Sequence, residues 1–163
     1  MASCPSCGFD PSSVSPSDAV VALRSFPRRY RELAGPAPDG VPASDREHAE
    51  HRWEAVVTEA GQAAEAIAAL AEDLRRTLID DRPRLTTTAE MATAVRNGGD
   101  PATAFDRLQA ACEAAAGLAD HQPGEAWARE ATRPDGPVTA IDVLRDAVHA
   151  GIHHLRQAQA EVD

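Results

Sequence analysis

Hydrophobic residues recur at helical spacing along most of this chain. In the longest such segment, apolar side chains return every three or four residues, and the pattern ends near Ile79, before Pro83. This spacing places the apolar side chains on one face of an amphipathic helix, as in a helical bundle. The positions are Trp53, Val57, Ala60, Ala64, Ile67, Ala71, Leu74 and Leu78.

Three further segments have the same period. They run from about residue 17 to 34, from 100 to 119 and from 139 to 155. Pro27 lies inside the first of them and predicts a kink or two short helices, because proline cannot donate a backbone hydrogen bond. The pattern also allows a short helix at 88–97, before Gly98 and Gly99. Four main helices without a convincing strand predict an all-α four-helix bundle.

The predicted helices begin at recognisable capping residues. Ser17 and the Asp100-Pro101 pair fit the first turns of the first and third main helices. Capping boxes are predicted at Ser44–Glu47 and at Thr139 with Asp142. We expect the buried core to contain Trp53, Val57, Ile67, Phe105, Leu108, Ile141, Val148 and Leu155.

The first sixteen residues are rich in Ser, Pro and Cys and have no helical period. They predict an irregular arm, residues 1–16, followed by the bundle, residues 17–163. The arm contains Cys4-Pro5-Ser6-Cys7-Gly8, whose spacing is that of one half of a zinc knuckle. A redox role is less favoured, because no strand and helix surround the pair as in redox CxxC motifs. A single CxxC supplies only two ligands, so the other half must come from elsewhere.

A second pair of potential ligands lies on the last helix. His149 and His153 are four residues apart, so they share a helix face with their Cβ atoms ~6 Å apart. This offset lets two imidazoles reach one metal ion. His154 is an alternative ligand to His153, but the residue four positions before it is Ala150. The alternative without a metal is a pair of half-exposed histidines that are hydrogen-bonded to their neighbours.

Charge and cysteine content restrict the partners and the compartment. The net charge of −10 predicts no binding to nucleic acid or to an anionic membrane. No apolar run approaches the ~18 residues of a membrane span, and no signal peptide is visible. We therefore expect a cytoplasmic protein whose thiols stay reduced. Cys112 lies on an apolar stripe and is predicted to be buried and inert.

Several of these features occur together in one known group of proteins. The chain combines a CPSCGFD arm, a proline-containing first helix, Trp53 at the start of the second helix, a Trp-Ala-Arg loop and a final His-x3-His-His-Leu-Arg motif. Over nearly its whole length it resembles the DinB-like (YfiT-like) superfamily, in its actinobacterial branch. The resemblance implies a four-helix bundle, a homodimer, and a divalent metal held by one histidine of the second helix and two of the last. Some members use small thiols such as mycothiol as cosubstrate.

The chain departs from that pattern at the second helix. His149 and His153 match the final-helix pair. At about the position where the resemblance implies the third histidine, this chain has Gly61. Two histidines alone hold zinc poorly. His48 and His51 lie about three turns, or ~16 Å, along the helix from that position, which is too far to reach the same ion unless the helix breaks. We therefore predict that Cys4, Cys7, His149 and His153 bind one zinc ion, or another divalent transition metal in its place.

Two functions fit such a chain. The first is a bundle with a structural zinc that serves as a binding or accessory protein. The alternative is a metal-dependent thiol S-transferase that joins a small-molecule thiol to a small electrophile. The number of protein ligands distinguishes them, because a closed site has four and a catalytic site keeps one position open.

Overall fold

The computed structural model describes residues 3–163, and most of them are helical. The helices are α1 (Pro16–Ala34), α2 (Arg46–Ile79), α3 (Ala89–Thr93), α4 (Ala104–Ala119) and α5 (Ala140–Val162). Two short strands, β1 (Glu130–Arg133) and β2 (Gly136–Thr139), form an antiparallel hairpin just before α5. The four long helices confirm the all-α four-helix bundle. The hairpin corrects the expectation that the chain contains no strand.

The long helices are not arranged in chain order around the bundle. Both α1 and α2 pack mainly against α4 and α5, so α1 and α2 face each other diagonally. The facing sides of α2 and α4 carry many buried alanines, whose small side chains let helices approach closely. Larger side chains, among them Leu23 and Phe26 of α1 and Ile67 of α2, are fully buried in the core.

Two of the four predicted helix starts differ from the structure. α1 is capped by Ser15, not Ser17, and Ser15 forms a capping box with Asp18. Pro16 follows it at the first helical position, which proline favours. α2 begins after Asp45 without a side-chain cap, so the predicted box at Ser44–Glu47 does not form. The Thr139–Asp142 box is present. Asp100 caps the short 3-10 turn Pro101–Thr103, which leads directly into α4.

Pro27 neither ends α1 nor divides it. The helix continues through this residue to Ala34, so of the two expected alternatives, a kink or two short helices, the second is wrong. Phe26 and Tyr30 are fully buried beside Pro27, and the Tyr30 hydroxyl donates to the carbonyl oxygen of Gly151 at 3.0 Å. Burying large side chains contributes about 1.5–3 kcal/mol each. Their packing offsets the roughly 3 kcal/mol that an internal proline costs a helix.

Five of the eight predicted core residues are buried, and three lie nearer the surface. Trp53, Phe105 and Ile141 are only partly buried. The rings of Trp53 and Phe105 pack edge to face, with their centroids 5.6 Å apart. Cys112 is fully buried, and burial raises the pKa of its thiol to about 12. The prediction that Cys112 is buried is therefore confirmed, and its raised pKa disfavours the reactive thiolate. Within residues 3–163, no helix has the length and apolarity needed to span a bilayer.

Candidate metal centre

The two arm cysteines lie in a tight loop that hydrogen bonds to itself. The amide of Gly8 donates to the carbonyl oxygen of Cys4 at 2.8 Å, and the amide of Cys4 donates to that of Phe9 at 2.9 Å. Gly8 has a φ of +70°, in the left-handed region that glycine adopts without strain. The loop therefore brings Cys4 and Cys7 to the same side, as the Cys-x-x-Cys-Gly pattern predicts.

Contacts outside the cysteines also hold the arm against α5. The ring of Phe9 stacks on that of His149, with centroids 5.5 Å apart and an interplanar angle of 21°. Farther along the arm, Nε of Arg145 donates to the carbonyl oxygen of Val14 at 3.0 Å. Asp10 accepts hydrogen bonds from the amide and hydroxyl of Ser12, which shape the turn between these two contacts. The cysteine loop is thus placed beside the histidines of α5.

Four potential ligands converge at this point. One ligand atom each of Cys4, Cys7, His149 and His153 lies within 4.8 Å of the other three. Sγ of Cys4 is 4.0 Å from Nδ1 of His153. In a tetrahedral zinc site the ligand atoms are ~3.3–3.8 Å apart, given Zn–S and Zn–N distances of about 2.3 and 2.0 Å. A contraction of at most ~1.5 Å between any two of the four atoms would bring them to that geometry.

The histidine side of the cluster has unused binding capacity. Nε2 of His149 is buried and has no hydrogen-bond partner within residues 3–163. Burial, and then the neighbouring His154, lower the pKa values of His149 and His153. Both rings are therefore held in the neutral form, which is the form that binds metal. A buried nitrogen without a partner is costly, and a metal ion bound through Nε2 would give it one.

The two thiols have different environments. Burial acts to raise the pKa of Cys4, but hydrogen bonds from the amides of Cys7 and Ser6 outweigh it, so the net pKa lies below the ordinary value. Burial and the adjacent sulfur of Cys4 raise the pKa of Cys7. Both side chains remain partly exposed, so the cluster lies at the edge of the bundle. The residues present fit a Cys2His2 zinc centre in ligand type and in spacing.

His154 is not part of this cluster. Its side chain is fully buried, with Nδ1 2.8 Å from Oε2 of Glu59 and Nε2 3.3 Å from the carbonyl oxygen of Ala92. His154 thus ties α5 to α2 and α3 and has no free nitrogen. His48 and His51 are exposed at the start of α2.

The structure gives a physical reason for the absence of a ligand at position 61. The backbone of the loop after α3 packs directly on Gly61, where an added Cβ would lie 2.6 Å from the carbonyl oxygen of Gly98. Arg107 holds this loop by hydrogen bonding to the same carbonyl. No side chain can therefore project from this face of α2 unless the loop moves.

The sequence did not reveal two buried polar pairs near the core. One is Glu59–His154, and the other is the ion pair between Arg133 of β1 and Asp146 of α5. The sequence contains one indication of the first pair, because an acidic residue, Glu59, lies within the alanine-rich part of α2. Charged residues are rarely fully buried unless they are paired. That rule predicts a partner for Glu59 only if its burial is already known.

Comparison with known proteins identifies the fold. No protein-family model matches the chain, and no curated protein sequence matches it. The solved structure of YfiT from Bacillus subtilis, described as a probable metal-dependent hydrolase with an unusual four-helix bundle topology, superposes with a TM-score of 0.65. The match covers 94% of this chain and 91% of YfiT, at 16% sequence identity. The chain therefore has the YfiT-like bundle fold, as its resemblance to the DinB-like superfamily predicted.

Proposed function

We propose that this chain is a YfiT-like bundle in which one zinc ion fixes the N-terminal arm to α5. The ligands are Cys4, Cys7, His149 and His153. The role of the metal is structural, and the protein serves as a binding or accessory module. The observation that carries the proposal is the convergence of four ligand atoms within 4.8 Å from two distant parts of the chain.

The chemistry of the ligand set supports a closed zinc centre. Two thiolates and two neutral imidazoles give zinc a net charge of zero, which suits a partly buried position. Thiolate and imidazole donors favour zinc over calcium or magnesium. Four protein ligands fill the tetrahedron and leave no position for a substrate. The free energy of metal binding would then contribute to the stability of the folded arm.

Elemental analysis of the protein purified without added metal is the test. The expected result is about one zinc per chain, as for structural Cys2His2 sites. The double variant Cys4→Ser/Cys7→Ser should lose this zinc, and so should His149→Ala. The matched control is Cys112→Ala, which removes a buried thiol outside the cluster and should keep full occupancy. Full occupancy in Cys4→Ser/Cys7→Ser would show that the arm does not bind the metal.

A second candidate is a metal-dependent thiol S-transferase. It is supported by the partial exposure of both arm thiols and by the description of YfiT as a probable metal-dependent hydrolase. In this case one cysteine would leave the metal and a small-molecule thiol would take its place. A thiol that coordinates zinc is deprotonated, and so is ready to attack a small electrophile. Three protein ligands and one exchangeable water would support this candidate over the structural one.

We also propose a homodimer in the cytoplasm, where the cysteines would stay reduced. A groove of about 610 Å³ lies between α2 and α4 and is lined mostly by alanines. Its charged residues are Glu65, Glu72, Arg75 and Arg107, which balance one another in a chain of net charge −10. Two copies could therefore approach here without the repulsion that the rest of the surface imposes. Light scattering at the mass of one chain would contradict the dimer.

A further inference from the structure

We propose that Cys4 and Cys7 form a peroxide-sensitive pair. Oxidation to a disulfide within the chain removes both thiolate ligands and frees the tip of the arm, residues 3–9, from α5. This inference rests on the proposed zinc centre, because the thiolates that it oxidises are the metal ligands. It adds a reaction and a change of structure that a purely structural zinc does not require.

The three cysteines differ in access. Cys4 and Cys7 are partly exposed, whereas Cys112 is fully buried in the bundle. Oxidants act on thiols that are accessible and have thiolate character. Coordination to zinc would keep both arm sulfurs as thiolates at neutral pH. A soluble peroxide should therefore react with the arm pair and leave Cys112 reduced.

The two arm sulfurs are also close enough to react with each other. Their Sγ atoms lie within 4.8 Å, on a loop whose backbone hydrogen bonds hold both cysteines on one side. A disulfide needs a separation of about 2.05 Å, so each sulfur has to move by at most ~1.4 Å through side-chain rotation. Cys112 cannot compete, because it is buried on the seam of α4.

The reaction balances with one hydrogen peroxide molecule as the oxidant. One thiolate attacks a peroxide oxygen, the O–O bond breaks, and a sulfenic acid forms with release of hydroxide. The second thiolate attacks that sulfur, the S–O bond breaks, and the disulfide forms with release of a second hydroxide. The two thiolates lose two electrons in total, and two protons from solvent convert the hydroxides to water.

Loss of the thiolates changes what holds the arm. The tip is then held mainly by the stacking of Phe9 on His149, which is worth about 1 kcal/mol. Farther along, Arg145 still donates to the carbonyl oxygens of Ser12 and Val14. The arm should therefore open at its tip and stay attached near Val14. Opening also gives the buried Nε2 of His149 access to water as a partner.

The experiment treats the zinc-loaded, full-length protein with hydrogen peroxide. We expect release of bound zinc to a colorimetric chelator and a fall from three free thiols to one. The mass of the intact chain should drop by two hydrogen atoms. Chymotrypsin should cut after Phe9 only in the oxidised protein, because the ring is half-buried before oxidation. Dithiothreitol with added zinc should restore the bound zinc, the free thiols, the original mass and the resistance to chymotrypsin.

Two variants test whether the peroxide reaction takes place at Cys4 and Cys7 or at Cys112. Cys112→Ala should release zinc at the wild-type rate and fall from two free thiols to none. Cys7→Ser cannot form the internal disulfide, so its peroxide product should be a sulfenic acid or a dimer linked through Cys4. If Cys112→Ala kept its zinc under peroxide while the wild type lost it, the reacting thiol would be Cys112 and the inference would be overturned.

The outcomes also distinguish this inference from the proposed function. Protein without zinc before treatment contradicts the proposed function itself. Protein that holds zinc at the start and keeps it under peroxide contradicts only the redox inference. Zinc release with a mass gain from sulfinic acid, and no internal disulfide, contradicts it as well, because the two sulfurs would then not react with each other.

Discussion

His153 and His154 are neighbours in sequence, yet they belong to two different regions of the molecule. His153 faces the arm, where its Nδ1 is 4.0 Å from the sulfur of Cys4. His154 faces the interior, where both of its nitrogens lie close to oxygens of Glu59 and Ala92. Successive residues of a helix point about 100° apart, so a single helix can serve two unlike environments.

The two regions differ in whether their buried histidine nitrogens have hydrogen-bond partners within the protein. In the interior pair, every polar atom of the histidine has a partner. In the arm cluster, Nε2 of His149 has none among residues 3–163. A histidine that already has two oxygen partners is structural, whereas a cluster that combines two sulfurs with a histidine nitrogen lacking a partner is suited to metal. Removing metal should therefore change the arm and leave the interior intact.

The interior pair should have the largest effect on stability. We expect His154→Ala to lower the free energy of unfolding by about 3–5 kcal/mol, because it leaves Glu59 buried without its partner and opens a cavity. Urea unfolding measures this loss. Zinc content should stay at about one per chain, as in the wild type.

The matched control is His51→Ala, an exposed histidine of α2, which should change the free energy by no more than about 0.5 kcal/mol. A loss below ~1 kcal/mol for His154→Ala, or a loss of zinc in that variant, would erase the distinction between the two regions.

Chelation should have the next largest effect, confined to the arm. At free zinc 100-fold above the dissociation constant, bound metal stabilises the fold by about 2.7 kcal/mol, and a chelator should remove that amount. The helical circular dichroism signal should stay nearly constant, because the bundle core does not involve the metal ligands. A collapse of that signal on chelation would mean that the metal organises the whole bundle.

Gly61 tests why the second helix offers no ligand. An added Cβ there would lie 2.6 Å from the carbonyl oxygen of Gly98, so Gly61→Ala should lower the free energy of unfolding by about 1–3 kcal/mol. Gly117 of α4 has open space around the same position, so Gly117→Ala should instead stabilise by up to ~1 kcal/mol. Equal signs for the two variants in urea unfolding would show that the loop does not pack tightly on α2.

Low pH should lower the free energy of unfolding of the metal-free protein, by less than the changes described above. Burial lowers the pKa values of His149 and His153 from the ordinary 6.5, so below pH 6.5 the unfolded chain binds protons that the folded chain refuses. The free energy of unfolding should thus fall as the pH drops below 6.5, and stop falling below the folded pKa values. The double variant His149→Gln/His153→Gln should lose this component in urea unfolding, and an unchanged pH dependence would contradict it.

The bundle was predictable from the sequence because burial imposes a regular pattern. The apolar stripe of α2, its end near Ile79 and the buried Cys112 all follow from helical periodicity. The two halves of the metal cluster were also visible as local spacings. Their convergence was a hypothesis, since neither half contains information about the position of the other.

The remaining features depend on contacts between distant segments. The Glu59–His154 pair joins residues 95 positions apart. The loop that covers Gly61 follows α3 in the sequence and is thus also distant from it along the chain. The hairpin before α5 forms in a segment without a clear alternation of apolar and polar residues. It is joined to the segment after α2, because the amide of Leu85 donates to the carbonyl oxygen of Thr132 at 2.8 Å. Such pairings follow from the packed fold, so local patterns could not predict them.

X-ray absorption at the zinc edge tests the central claim most directly. The protein purified without added metal should show two sulfur ligands at about 2.3 Å and two nitrogen ligands at about 2.0 Å. The variant Cys4→Ser/Cys7→Ser should show no sulfur around any metal that it retains. A wild-type spectrum without sulfur, or with three protein ligands and a water oxygen, would contradict a closed Cys2His2 centre that fixes the arm to α5.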